Sequence, residues 1–224
     1  MISIIVPTLN EETCIAGTLN TLLELTGDKE ILVVDGGSQD RTLEIVRALG
    51  CRVVPSDRGR GCQLQAAGAE ASGEVLWFVH ADTRPGPGAL EAIEAALRDG
   101  RVVGGNFALI FDGDHYAARQ MTWIYPLLRL LGLSYGDAGI FIRKTVYDAI
   151  GGCHPYPLFE DLDLVQRMKR HGKFLHLPSR IVTSARRFSG PGYVRAWTIW
   201  ITLQLLYWLG VSPYRLAKWY RHVR

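Results

Sequence analysis

The chain has 224 residues, 48% of them hydrophobic and 21% charged, which excludes a disordered polar chain and allows one compact core. A net charge of +3 is too small to point to nucleic acid, and an anionic small substrate suits it equally well. Cys14, Cys51, Cys62 and Cys153 form no CxxC pair, so reduced thiols in a cytoplasm are expected rather than a disulfide framework or a zinc site.

Residues 2–7 (ISIIVP) are an apolar run bounded by polar residues, which predicts a buried first strand rather than a signal peptide. Ile15, Leu19, Leu22 and Leu23 recur at helical spacing. They predict a helix over 11–25, with Asn10 as its N-cap and Glu11 and Glu12 at the positive end of the helix dipole. EILVVD (30–35) reads as the next strand, followed by a helix to residue 49 capped by Ser38. A short strand at 52–54, an Ala-rich helix at 61–71, a strand at 74–79 and a helix at 87–98 complete this stretch. Strands that are apolar throughout, alternating with helices, predict a parallel sheet covered on both faces. Ligands of such sheets bind beyond the carboxyl ends of the strands, where Asp35 and the His80-Ala81-Asp82 triplet stand.

After residue 100 the pattern changes. A longer strand is expected at 102–111, a helix at 116–133, a strand at 138–143, a charged helix at 160–170, and two short strands at 173–177 and 180–184. Residues 101–189 read as an acceptor-side half closing over a nucleotide-binding half, 1–100, within one domain. Residues 190–224 carry four of the six tryptophans and end in Arg215, Lys218, Arg221, His222 and Arg224. The most apolar part is about 14 residues, short of the roughly 20 needed to span a bilayer. A helix lying in a membrane interface and a helix pair packed on the core or on a second copy both fit this composition.

Several residues carry chemistry. Asp35-Gly36-Gly37-Ser38-Gln39-Asp40 joins strand to helix through glycines and is not the GxGxxG dinucleotide fingerprint. His80 and Asp82, two apart on a strand, would face the crevice together, and an exposed aspartate beside a diphosphate suits a hard divalent ion. Asp82 capping the following turn is the competing reading. Phe159-Glu160-Asp161-Leu162-Asp163 places three acids at a helix start, either as dipole partners or with one as a proton acceptor. Arg58, Arg60 and the Arg186-Arg187 pair suit phosphate as well as they suit a solvated surface.

The ordered series PTLNEE (7–12), ILVVDGGSQDRT (31–42), GRGCQLQAAGAEASGEVLWFVHADT (59–83), GDAGIFIRK (136–144), IGG (150–152) and FEDLDL (159–164) resembles the family 2 glycosyltransferases. The resemblance covers about residues 1 to 185. It implies the α/β GT-A fold, a Rossmann-like nucleotide half merged with a mixed-sheet acceptor half. It also implies an inverting glycosyltransferase that moves a sugar from a nucleoside-diphosphate donor, usually UDP-linked, to an acceptor hydroxyl. Pro7, Thr8 and Glu11 would line the nucleobase and ribose pocket. Asp35 would hydrogen-bond the base, and Arg58 or Arg60 would stand near the nucleotide. Asp82 would be the last acid of the family's Asp-x-Asp motif, holding a divalent cation, Mn²⁺ or Mg²⁺, against the diphosphate. Asp161, in the Glu160-Asp161 pair, would be the general base. The short form with HADT and SARR is similar to a bacterial subgroup found beside radical-enzyme and arsenosugar genes.

Two positions depart from the family pattern. Gly36 stands where an aspartate is common, and His80 where the first acid of Asp-x-Asp is common. Loss of a carboxylate weakens a magnesium site, whereas imidazole is better tolerated by Mn²⁺; His80 touching ribose or phosphate is the other reading. These departures keep a non-catalytic nucleotide-binding scaffold in view, and a nucleotidyltransferase is a further alternative. The acceptor is expected to be a small molecule or lipid-linked, with the enzyme cytoplasmic, peripheral on the inner membrane face or homodimeric.

Overall fold

The computed structural model describes residues 1–113, 116–130, 134–184 and 193–220. One eight-stranded mixed sheet runs through it in the order β3-β2-β1-β4-β7-β6-β8-β5. The strands are β1 (Ile2–Thr8), β2 (Lys29–Asp35), β3 (Arg52–Pro55), β4 (Val75–Phe78), β5 (Thr83–Pro85), β6 (Val102–Asp112), β7 (Phe141–Arg143) and β8 (Lys173–Ser184). From β3 to β4 the pairing is parallel; β7 pairs antiparallel with both β4 and β6. Helices flank it: α1 (Ile15–Glu24), α2 (Thr42–Ala48), α3 (Arg60–Glu70), α4 (Ala89–Leu97), α5 (Tyr116–Leu130), α6 (Lys144–Ala149), α7 (Glu160–Lys169), α8 (Tyr193–Trp208) and α9 (Pro213–Tyr220).

The apolar strands are explained by cover on both faces. Along β1, Ile2, Ile4 and Val6 enter one core with Ile15, Leu19 and Trp77. Ile5 enters the other with Leu32, Leu64 and Leu164. Alternate residues of a strand point to opposite faces, so a strand between two helix layers must be apolar at every position.

The structure corrects several local expectations. Asn10 is not a helix cap. It adopts φ 54°, its side-chain oxygen accepts from the Gln39 N–H at 2.8 Å, and α1 begins only at Ile15. Ser38 likewise does not cap α2, which starts at Thr42 after Arg41; Ser38 Oγ accepts from the Asn10 N–H at 2.9 Å. The two strands expected around Pro178 are one strand, β8. Its register against β6 shifts between Asn106 and Ala108, a bulge that accommodates a residue with no N–H to donate. Arg186 and Arg187 lie outside the described residues, as do Arg221, His222 and Arg224.

Helices α8 and α9 close a third cluster, in which Leu203 and Leu216 meet Phe159 and Leu162. Among the described residues no helix is long and apolar enough to cross a membrane.

Candidate active site

The loops after β1 and β2 are tied to each other. Besides the two Asn10 bonds, the Glu11 N–H donates to Thr42 Oγ1 at 2.8 Å and the Glu12 N–H to Asp40 at 3.2 Å. Thr8 is buried, and its hydroxyl donates to the Val6 carbonyl at 3.0 Å. Asp35 is buried at the end of β2. Its carboxylate accepts from the Gly37 N–H at 2.9 Å, from the Ser38 N–H at 3.0 Å and from the Ser38 hydroxyl, so it builds the turn that follows the strand.

Gly36 has a local cause. A Cβ there would lie 3.2 Å from Gln63 Nε2. That amide donates to the carbonyls of Thr8 and Val34 at 2.8 and 2.7 Å. The space a second aspartate would enter is occupied by Gln63, whose side chain joins α3 to the ends of β1 and β2.

The strand expected to carry His80 and Asp82 ends at Phe78. His80 to Asp82 form a turn instead, so the two-residue alternation does not apply to them. The turn is held from several sides: Val79 N–H donates to the Ile5 carbonyl at 2.9 Å and Thr83 N–H to the His80 carbonyl at 3.0 Å. Thr18 Oγ1 donates to the Ala81 carbonyl at 2.7 Å, and the Ser184 N–H to the Asp82 carbonyl at 3.3 Å. Asp82 is half-buried.

Arg60, the first residue of α3, gathers the polar residues of the two halves. Its Nε donates to Glu160, one terminal nitrogen lies 3.1 Å from Asp161 Oδ2, and the other lies 2.8 Å from His80 Nε2. His80 Nδ1 lies 2.8 Å from Asp137 Oδ1. A guanidinium can only donate and a carboxylate only accepts, so this chain reads Arg60 to His80 Nε2 and His80 Nδ1–H to Asp137. Arg58, by contrast, is exposed in the preceding loop. Of the two arginines, Arg60 is the one that meets the acid pair.

Glu160 and Asp161 are both buried at the start of α7. Asp161 Oδ2 also accepts from the Gly136 N–H at 2.7 Å, and Oδ1 from its neighbour's Leu162 N–H at 2.8 Å. Burial raises the Glu160 carboxyl above its ordinary value; Arg60 opposes this and Asp161 adds to it. Burial acts against the Arg60 charge too, but Glu160, Asp161 and Asp137 outweigh it and hold that guanidinium firmly protonated. Phe159, just before the pair, is buried and has φ 61°, a left-handed backbone that costs a bulky residue roughly 1–3 kcal/mol. Its ring packs on Trp200 at 5.5 Å and on Tyr207 at 4.8 Å.

Pro7, Arg60, His80, Gly136 and Asp161 surround one small pocket together with Phe78 and Leu164. These residues bring the carboxyl end of the parallel sheet to the start of α7. Gly136, Asp137 and Gln63 carry no assigned role in a reading of the sequence, although all three lie within the motif series. Their signal was position within a motif, since their partners are far away along the chain.

The family model described as "Glycosyl transferase family 2" matches residues 3–157. The chain belongs to glycosyl transferase family 2. A curated relative, "Glycosyltransferase AglE" of Haloferax volcanii, is 27% identical over 172 residues, covering 70% of this chain and 56% of its own. "Probable glycosyltransferase YdaM" of Bacillus subtilis is 25% identical over 202 residues, covering 76% and 47%. The chain thus spans about half the length of these relatives. Among solved structures, the mannosyltransferase PcManGT of Pyrobaculum calidifontis in complex with GDP-Man and Mn²⁺ gives a TM-score of 0.71 at 21% identity. It covers 91% of this chain and 61% of that one. S. aureus TarS in complex with UDP-GlcNAc gives 0.67 at 20% identity, covering 83% and 58%. These likenesses show the GT-A fold.

Family 2 membership raises the question of a metal. Among the described residues no group of three or more His, Cys, Asp or Glu side chains is set to hold one. Both His80 nitrogens are engaged, by Arg60 and Asp137, which does not fit His80 as a ligand. Asp82 fits a narrower part. A hard cation of the Mg²⁺ or Mn²⁺ kind takes one or two carboxylates and completes its shell with phosphate oxygens and water.

Proposed function

We infer that this chain is an inverting glycosyltransferase acting on a nucleoside-diphosphate sugar, UDP-linked by preference, and an acceptor hydroxyl. The observation that carries the reading is the Arg60 bridge, which joins the buried Asp161 carboxylate to His80, two residues before Asp82 in the same turn. Pro7, Thr8, Glu11 and the Asp35 turn surround the nucleoside at the ends of β1 and β2. Asp82 would hold a divalent cation, which when bound would supply positive charge against the departing nucleoside diphosphate.

Asp161 takes the acceptor proton as the hydroxyl oxygen bonds the anomeric carbon and the bond from that carbon to the diphosphate oxygen breaks. Glu160 stays paired to Arg60, so the guanidinium is fixed between the acid pair and the diphosphate side of the cleft. His80, oriented by Asp137, supports the other end of that guanidinium rather than a metal. The Mn²⁺ named with GDP-Man in the PcManGT structure and the UDP-GlcNAc named in that of TarS support a cation and a nucleotide sugar as the ligands to try.

The test is titration of UDP and GDP with Mn²⁺, Mg²⁺ or EDTA, together with donor turnover by wild type, Asp82→Ala and Asp161→Asn. The reading expects one nucleotide to bind with metal dependence that Asp82→Ala abolishes, and Asp161→Asn to bind but not turn over. Normal turnover by Asp161→Asn rejects the base; pyrophosphate release from a nucleoside triphosphate would instead mark a nucleotidyltransferase.

The reading extends to peripheral contact with the inner membrane face. Ile201, Leu205 and Trp208 are exposed along one side of α8, Leu209 just after it, Trp123 and Leu127 on α5, and Trp219 on α9. Arg215 and Lys218 are exposed beside Trp219. Tryptophan with lysine and arginine at a helix surface suits the lipid headgroup region.

A further inference from the structure

Helix α8 has an inner side as well as an exposed one, and the inner side meets the two segments that hold Asp161. The Trp200 ring packs edge-on against Tyr135, with centroids 5.6 Å apart, and edge-on against Phe159 at 5.5 Å. The Tyr207 ring lies 4.8 Å from that of Phe159, tilted by 31°. The Tyr135 hydroxyl donates to Gln204 Oε1 at 3.0 Å, and Gln204 is buried. Tyr135 immediately precedes Gly136, whose N–H binds Asp161 Oδ2. Phe159 immediately precedes the Glu160-Asp161 pair and holds the left-handed backbone from which α7 starts. One tryptophan therefore braces both sides of the carboxylate's cradle, from a helix that follows the rest of the catalytic fold in sequence.

We propose that α8, through Trp200, Tyr207 and Gln204, positions the Asp161 carboxylate for transfer, so that the C-terminal helices are part of the catalytic apparatus rather than an appendage. These are positioning residues: they act on Asp161 through Phe159 and Tyr135. The physical ground is that a left-handed backbone at a bulky residue persists only where its surroundings over-determine it. Here those surroundings are two aromatic rings of α8. The ends of β1 and β2, where the nucleotide is read to bind, lie in other core clusters than the one α8 closes. Loss of Trp200 should therefore separate binding from catalysis, since small displacements of a reacting group cost rate far more than affinity.

This inference rests on the reading of Asp161 as the base, and the experiment keeps the two apart. Full-length wild type, Trp200→Ala, Trp200→Phe and Asp161→Asn are compared for Mn²⁺-dependent UDP and GDP binding. They are also compared for turnover of UDP-glucose, UDP-N-acetylglucosamine and GDP-mannose, and for hydrogen exchange at the Gly136 amide. The expected result for Trp200→Ala is nucleotide affinity within about twofold of wild type, turnover lower by about tenfold or more, and Gly136 exchange faster by at least about tenfold. Trp200→Phe, which keeps an aromatic ring, should restore most of both. Unchanged exchange at Gly136 in Trp200→Ala overturns the proposal, and so does faster exchange with unchanged turnover.

If Trp200→Ala loses nucleotide binding as well, the same readings on Gln204→Leu decide. That variant removes only the hydrogen bond to Tyr135. Active Asp161→Asn would sink the base assignment, whereas inactive Asp161→Asn beside a fully active Trp200→Ala would sink this inference alone. If wild type turns over none of the three donors, the exchange reading still decides whether α8 holds the cradle.

Discussion

Gly136 and Asp161 meet at hydrogen-bond distance, and a glycine leaves the meeting uncrowded: its N–H donates to Asp161 Oδ2 at 2.7 Å, while a Cβ on Gly136 would lie 3.2 Å from that same oxygen and 3.1 Å from His80 Nε2. Gly136→Ala therefore wedges a methyl between the two groups that Arg60 joins. Turnover should fall by about ten- to a hundredfold, with nucleotide affinity changed little. Steady-state rates beside calorimetric affinity check this, and equal losses in both would place the damage in the fold.

Arg60→Gln should make stability depend on pH in a set direction. Burial already raises the Glu160 carboxyl, and Arg60 opposes that rise; without the guanidinium it rises further. An acid whose folded pKa exceeds its unfolded value contributes stability below the unfolded pKa and loses it as pH rises through the folded one. The variant should thus be destabilised most at high pH, by about 3 kcal/mol near pH 8 given the partly exposed arginine, and recover as the pH falls toward 5. Denaturant midpoints at both pH values, relative to wild type, measure this.

Gly61→Ala should destabilise the protein although alanine is the better helix former. Its Cβ would lie 2.5 Å from the His154 carbonyl oxygen and 2.7 Å from the Tyr156 nitrogen, both backbone atoms that cannot swing aside. The clash, about 1–3 kcal/mol, exceeds the helix gain of about 1 kcal/mol. Thermal unfolding should show a transition lowered by several degrees.

Replacing Trp123, Trp208 and Leu209 together by serine should weaken co-sedimentation with phosphatidylglycerol vesicles about tenfold or more. Thermal stability should hold, since all three side chains are exposed. Equal pelleting of variant and wild type would reject the lipid contact. Concentration-dependent dimers that the variant abolishes would assign the face to a second copy.

The parallel half of the sheet was legible because β1, β2 and β4 are covered on both faces and so are apolar residue by residue. The acid pair was legible as a helix start. What escaped has a common cause. Gly136 has no side chain to draw notice, and its role appears only where Asp161, distant in sequence, arrives beside it. Asp137 matters through His80, and Gln63 through the carbonyls of Thr8 and Val34. The three residues of β5 are too few to show alternation. Pro178 looks like the end of a strand because a bulge cannot be told from a break without the partner strand's register. Residues 190–224 read two ways in the sequence because α8 has two apolar sides, one packed on Phe159 and one exposed.

The turn that carries Asp82 lies between β4, in the middle of the sheet, and β5, at its far edge against β8. Thr83, the first residue after Asp82, hydrogen-bonds through its hydroxyl to that of Thr183 at 3.0 Å. During synthesis the first hundred residues can therefore assemble their parallel strands, but they lack the edge that anchors this turn until β8 has emerged. Such long-range pairings form late because loop closure must precede them. A nascent chain would thus hold its parallel strands and the Asp35 turn before it holds a finished Asp82 turn, and the site as a whole would wait until β8 is in place.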